Sequence, residues 1–246
     1  MKKEQKKVKQ KDQSKEKQDK SPKKVNLFLL SAWAGIASVV FSSINSLISS
    51  SIFSTICSFL VLISSLFFTY GFFELGKRYN NKFLKISSII LIALSVVYFI
   101  SLMVLIVPSV SNIVVLVEEK ASSLGLSLVD FQGLTEEQQT SFIQGILSNP
   151  DFIYELYTIG ITFAFNILLL FLTSIMFFIY LMKLKEIKYA SLTGKIFFIS
   201  LGLFILSFPL MLVFIGILTL VLSLLGLFAS YIFLIVILFD EAKKQN

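Results

Sequence analysis

Apolar and polar positions in this chain are segregated into long blocks. Charge-free runs extend from Val25 to Phe73, Ile86 to Val117, Leu156 to Met182 and Ile196 to Phe239. A helix needs about 20 mostly apolar residues to cross a hydrocarbon core of roughly 30 Å, so these runs measure transmembrane spans directly. The first and last runs each accommodate two crossings and the middle two accommodate one each. The pattern predicts six spans near 26–46, 52–73, 84–107, 158–182, 194–213 and 216–239. A five-span alternative treats the last run as one re-entrant or very long helix, since no polar residue marks the turn near Leu212 to Gly216.

Charges between the runs test this count independently, because lysine and arginine in short loops stay on the cytoplasmic side. Glu74, Lys77, Arg78, Lys82 and Lys85 carry a net +3, as do Lys183, Lys185, Glu186, Lys188 and Lys195. The stretch 108–157 carries Glu118, Glu119, Asp130, Glu136, Glu137, Asp151 and Glu155 against Lys120, a net of −6. Six spans with both termini in the cytoplasm and an acidic extracytoplasmic segment 108–157 satisfy every loop. The expected fold is therefore an all-α integral membrane protein, a six-span transmembrane helical bundle over residues 25–240, N-in and C-in, with a short cytoplasmic tail 241–246. The expected location is the plasma membrane.

Composition sharpens this picture by position. The 246 residues are 56% hydrophobic and 15% charged, with a mean hydropathy of +0.84, which excludes an ordinary soluble domain. The formal charge of +7 resides in residues 1–24, which hold eleven lysines and four acids. This tail has almost no apolar side chain to offset the entropy of ordering it, so it is expected to be disordered. Its readings are an orientation signal, a contact with anionic lipid headgroups and, least favoured, nucleic acid, since no aromatic residue interleaves the lysines. Behind it Ala32-Trp33-Ala34 is only a weak imitation of a small-residue cleavage site, so the first span reads as an uncleaved anchor.

The outer segment contains helix signals of its own. Thr135, Glu136, Glu137 and Gln138 form a capping box, and the helix they open should stop at Asn149 and Pro150, where a new helix leads into span four. Phe142, Ile143, Ile146 and Leu147 cluster on one side, suited to the membrane surface or to covering the bundle. Span three is expected to continue past Pro108 through Ile113 to Val117.

Small residues mark helix contacts. Ala34, Ser38, Ser42 and Ser46 recur every four residues in span one, with Ser31 and Gly35 beside them, and Gly226 and Ser230 repeat the arrangement in span six. Such stripes let backbones approach closely, within the chain or at a homodimer seam. Asn166 is the strongly polar side chain at depth in span four, readable as interhelical glue or as part of a permeation path. Pro209 should kink span five near its outer end. Shifting the chain by 110 residues superimposes Leu60, Ser64, Phe68, Tyr70, Tyr79 and Lys85 on identical residues from Leu170 to Lys195. That match fits either a duplicated hairpin or convergence on an aromatic belt followed by lysines.

Several chemistries are missing. There is no histidine and a single cysteine, Cys57; no zinc-ligand spacing, phosphate-binding loop or nucleophile elbow is present. No catalytic residue, cofactor or metal is assigned, and the chain is not expected to be an enzyme. Gly71-Phe72-Phe73-Glu74-Leu75-Gly76-Lys77-Arg78-Tyr79 and Thr193-Gly194-Lys195-Ile196-Phe197-Phe198 resemble a family of largely archaeal multi-pass membrane proteins, domain-of-unknown-function family 996, over residues 26–240. That resemblance implies a membrane bundle and lends no activity or site residues. The leading expectation is a structural or accessory membrane component acting through helix packing, with lipids, a protein partner or a second copy as contacts. The alternative is a transporter or channel for a small neutral solute, for which a polar cavity at mid-membrane would be the discriminating feature.

Overall fold

Cap residues fix where the helices begin. The structure, a computed structural model, describes residues 26–47, 51–123, 135–210 and 215–245. Helix α1 spans Leu27–Leu47, and Asn26 opens it by accepting the Leu29 backbone N–H at 3.2 Å. Helix α2 is Ser51–Arg78. Asn80 then adopts a left-handed φ of 50° and Asn81 caps helix α3, Lys82–Ser101, by accepting the Leu84 N–H at 3.0 Å. A π-helical turn, Leu102–Ile106, joins α3 directly to α4, Val107–Ser123. Pro108 explains the wide turn, because it has no N–H to return to the carbonyl of Val104 and the helix relaxes just before it.

Helix α5 covers Glu136–Leu147 and helix α6 covers Pro150–Met182. Asn149 accepts the Asp151 N–H at 2.9 Å and Pro150 occupies the first turn of α6, where its missing N–H costs nothing. Helices α7, Ala190–Leu210, and α8, Ile215–Lys243, complete the chain. Pro209 lies inside α7, one residue before the last described residue of that helix.

Among the described residues, six helical segments are long and apolar enough to cross a membrane, and α7 and α8 are separate helices, so the last apolar run makes two spans. The chain is an all-α, six-span helical membrane protein. The described residues of the segment 108–157 are mostly helical where the charge pattern alone describes a loop. The continuous helix Lys82–Ser123 has 42 residues, about 63 Å at 1.5 Å per residue, and α6 has 33, about 50 Å. Both exceed the roughly 30 Å hydrocarbon core, so α4 and the start of α6 project together beyond it. Helix α5 packs on both. Of its predicted apolar cluster, Phe142 is buried and Ile146 half-buried, while Ile143 and Leu147 are exposed.

The spans pack in a closed ring. Contacts run from α1 to α2, α2 to α3, α3 to α6, α6 to α7, α7 to α8, and α8 back to α1. Alternating direction around the ring places α8 with α1, α2 with α3 and α6 with α7 as three corners at one end, which also carries Lys77, Arg78, Lys82, Lys183, Lys185, Lys188, Lys243 and Lys244. This is the basic end, and α4 and α5 mark the acidic end. The fully buried apolar core, including Phe72, Leu75, Leu84, Leu181, Ile237 and Leu238, gathers in the basic half. The tail 1–24 and the serines 49 and 50 lie outside the described residues.

Candidate functional site

A ring of six helices can leave space along its axis, and side-chain size decides where. At the basic half the axis is filled by aromatic rings in sequence. Tyr231 of α8 meets Phe68 of α2 at 4.9 Å between centroids, Phe68 meets Phe72 at 5.4 Å, and Phe72 meets Phe177 of α6 edge-on at 5.1 Å. Phe177 contacts Phe178 at 5.4 Å, and Phe178 stacks on Phe197 of α7 at 3.8 Å. Such contacts add about 0.5–1.5 kcal/mol each beyond their burial. Four helices are thus tied across the ring by one continuous aromatic floor.

Above that floor lies a central cavity of about 350 Å³. Every one of the six spans contributes to its wall: Ser38 from α1, Ser65 and Thr69 from α2, Leu91 from α3, Ser174 from α6, Phe197 from α7 and Tyr231 from α8. Its chemistry is aromatic with isolated hydroxyls, and no charged side chain lines it. Tyr231 donates to the Gly35 carbonyl at 3.2 Å, fastening α8 to α1 at the cavity wall. A second cavity of about 250 Å³ lies towards the acidic end between α1, α2, α3 and α6, and Ser65 borders both. Ser42, Asn45, Ser58, Ser95 and Tyr98 supply its polar lining, and Leu102 of the π turn closes one side.

The small-residue stripe of α1 divides by depth. Ser31 and Gly35 are buried in contact with α2 and α8; a β-carbon on Gly35 would approach Phe68 to 2.7 Å and Ile235 to 2.9 Å. Ala34 is half-buried against the core, the half-buried Ser38 lines the central cavity, Ser42 borders the second cavity but is exposed, and Ser46 is exposed. In α8, Gly226 fits against Ser200 of α7 and Ser230 is fully buried. Many hydroxyls bond within their own helix, as Ser65 to Leu62, Ser95 to Leu91, Ser200 to Ile196 and Ser230 to Gly226. They therefore act by being small more than by bridging helices.

Asn166 is 4% exposed, but its amide donates to Thr162 of the same helix at 2.8 Å, and it lines neither cavity. The polar side chain that reaches a cavity is Asn45. Its Nδ2 donates to Ser58 Oγ at 3.3 Å, and its Oδ1 is buried with no hydrogen-bond partner. Sequence position hid it, because Asn45 sits two residues before the end of α1 among serines and reads as part of a polar turn.

The basic end holds a second group that pattern reading missed. Glu241 is 0% exposed. Tyr79 donates to both its carboxylate oxygens at 3.1 Å, Arg78 approaches Oε2 at 3.2 Å, and Lys244 also pairs with it. Arg78 further donates to the Glu241 backbone carbonyl at 3.4 Å, and Asn26 Nδ2 donates to the carbonyl of Ala242 at 2.9 Å. Burial, then the Glu241 charge, raises the Tyr79 hydroxyl above its ordinary pKa, and the Glu241 hydrogen bond raises the Lys244 ammonium. The structure shows a likeness between two helix ends: Gly71 to Arg78 and Ile237 to Lys244 share one exposure pattern, two buried, two half-buried, two buried and two exposed residues. Phe73, Glu74, Lys77 and Arg78 then correspond to Phe239, Asp240, Lys243 and Lys244, and Glu241 stands where α2 has the buried Leu75.

Comparison with family models, curated proteins and solved structures gives no match.

Proposed function

We propose that this membrane protein is a non-catalytic conduit or carrier for a small neutral solute, placed in the plasma membrane with its basic end and both termini in the cytoplasm. The observation that carries the reading is the central cavity, walled by all six spans and lined by aromatic rings and hydroxyls without a charged side chain. A packed accessory bundle has no use for an axial space, whereas a polar group in a membrane interior is stabilised only by a partner. The aromatic floor would act as the closed barrier on the cytoplasmic side, with the Glu241 cluster holding the helix ends beneath it. Sidedness follows from the lysines and arginine of the basic end. Purified protein in vesicles, assayed for osmotic swelling with glycerol, urea and small sugars, should give flux above protein-free vesicles; background flux for all of them would overturn the reading.

The accessory reading keeps one specific support. Beyond the hydrocarbon zone, α4 exposes Val114 and Val115 while α6 exposes Tyr154 and Tyr157, a surface suited to a protein partner or a second copy. The lysine tail remains the proposed contact for anionic lipid headgroups. Photocrosslinking from residue 115 in native membranes tests this, and the absence of any protein adduct would sink it. The relationship to domain-of-unknown-function family 996 is likewise a proposal, supported by residues 71–79 and 193–198.

A further inference from the structure

We propose that the acidic-side cavity is a recognition site for small uncharged solutes that present hydrogen-bond donors, with Asn45 Oδ1 as the group that reads them. This deepens the conduit reading and rests on it for the direction of traffic, but it concerns binding. The observation behind it is an acceptor of high basicity, a carboxamide oxygen, buried beside a cavity and without a hydrogen-bond partner. Buried polar atoms are nearly always paired, so one held without a protein partner at a cavity wall marks the place where a bound molecule completes the geometry.

The neighbouring groups fix the chemical class. Asn45 Nδ2 is engaged by Ser58 at 3.3 Å, which holds the carboxamide in place. Ser65 and Ser95 each give their proton to a carbonyl one turn back, Leu62 and Leu91, at 2.8 Å. Each of those hydroxyls therefore presents only lone pairs to anything else. Together with Asn45 Oδ1 they give the wall three acceptors, while the hydroxyls of Ser42, Ser58 and Tyr98 on the same lining can also donate. The cavity lining contains no carboxylate, so a cation would enter a low-dielectric site without a counter-charge, which is strongly disfavoured. A neutral donor, a hydroxyl or an amide N–H, matches. The volume of about 250 Å³, against roughly 30 Å³ for each water in the liquid, leaves room for a solute the size of glycerol or urea together with water. Its position on the acidic side of the central cavity, with Ser65 shared between them, makes it the first station for a solute entering from that end.

The test uses full-length protein in lipid nanodiscs, titrated with urea, glycerol and acetone by saturation-transfer NMR, and the same preparations reconstituted in vesicles. Acetone has a shape close to that of urea but no N–H. Urea and glycerol should give saturable signals stronger than that of acetone, which can accept from the wall hydroxyls but has nothing to donate to Asn45 Oδ1. Asn45→Leu should weaken urea binding by roughly tenfold or more, as expected when a hydrogen-bonding site loses its polar group. Leu62→Phe, which fills the same cavity without touching the carboxamide, should also abolish binding. The thermal midpoint of Asn45→Leu should stay close to that of the parent, because removal of a buried unpaired acceptor offsets the lost bond to Ser58. A large fall in the midpoint would mark a structural role and overturn the proposal, as would equal binding of urea and acetone. Urea binding that depends on Asn45 without vesicle flux would uphold this site and remove the conduit reading. Flux that is indifferent to Asn45→Leu would do the reverse.

Discussion

Ser31 and Gly71 face each other so closely that a β-carbon on Gly71 would stand 2.6 Å from Ser31 Cβ and 3.1 Å from Leu238 Cδ2. Helices α1, α2 and α8 therefore meet at one point whose spacing is set by the missing side chain of Gly71 and the short one of Ser31. Neither a serine Cβ nor the backbone behind it can swing aside.

Gly71→Ala is expected to lower stability by about 1–3 kcal/mol, the usual cost of overpacking a well-filled contact. Gly160 and Gly202 have nothing within 4 Å of the corresponding position. Alanine there should be neutral or stabilise by up to about 1 kcal/mol through helix propensity. Thermal unfolding in one detergent compares all three; equal midpoints for Gly71→Ala and Gly202→Ala would contradict the close approach.

Glu241→Gln keeps the shape of the buried side chain but leaves Arg78 and Lys244 without their counter-charge. Arg78 is partly exposed, 34% for its side chain, so screening reduces the penalty, and a loss of about 1–3 kcal/mol is expected. The pH dependence has a definite sign. Tyr79 and Lys244 are both raised above their ordinary values of 10.0 and 10.5. Their stabilisation is complete below those values and is lost as pH climbs through the raised folded-state values. The stability difference between parent and Glu241→Gln should therefore shrink on the alkaline side of about pH 10 and hold steady between pH 7 and 9. Chemical denaturation across that range reads it, and a constant difference would count against the coupling.

Phe72 joins the two halves of the aromatic floor. Phe72→Ala should cost about 3–5 kcal/mol by leaving a hole, and Phe72→Leu roughly 1–2. The milder variant is the informative one, since it opens the floor while the bundle still folds. Solute flux through vesicles containing Phe72→Leu should exceed that of the parent; a decrease would argue that the floor is part of the binding site and not the barrier.

Orientation can be read with single cysteines, because Cys57 is buried and contributes little background. Ser141 on α5 and Asn80 at the α2–α3 turn are both exposed and lie at opposite ends of the bundle. In intact cells an impermeant maleimide should label Ser141→Cys and spare Asn80→Cys. Labelling of Asn80→Cys alone would invert the topology.

Much of this architecture was legible in the residues. Spans follow from apolar length, a property of the chain alone, and the start of α6 follows from Asn149 and Pro150, whose effects are local. Closure into a ring was not legible, because nothing in one helix states which neighbour lies two spans away. Glu241 illustrates the difference. An acid at the end of a span reads as a side chain reaching for solvent, and only the arrival of Arg78 and Tyr79 from another helix makes its burial tenable. Asn166 and Asn45 exchanged roles for a similar reason. The deeper residue satisfies itself with Thr162 one turn back, whereas the one near a helix end is aimed by Ser58 into a space that exists only after α3 and α6 close around it.

The ring has six interfaces, and the chain itself links the partners at five of them. Between α8 and α1 no peptide connection runs, and the joint is fastened by Asn26 to Ala242 and Tyr231 to Gly35, with Arg78 of α2 clamping the end of α8 through Glu241. In mechanical terms the bundle is a split collar with a clasp. Any motion that widens the axis without unravelling a loop is easiest there, and the strength of three polar fastenings sets the force at which the collar springs.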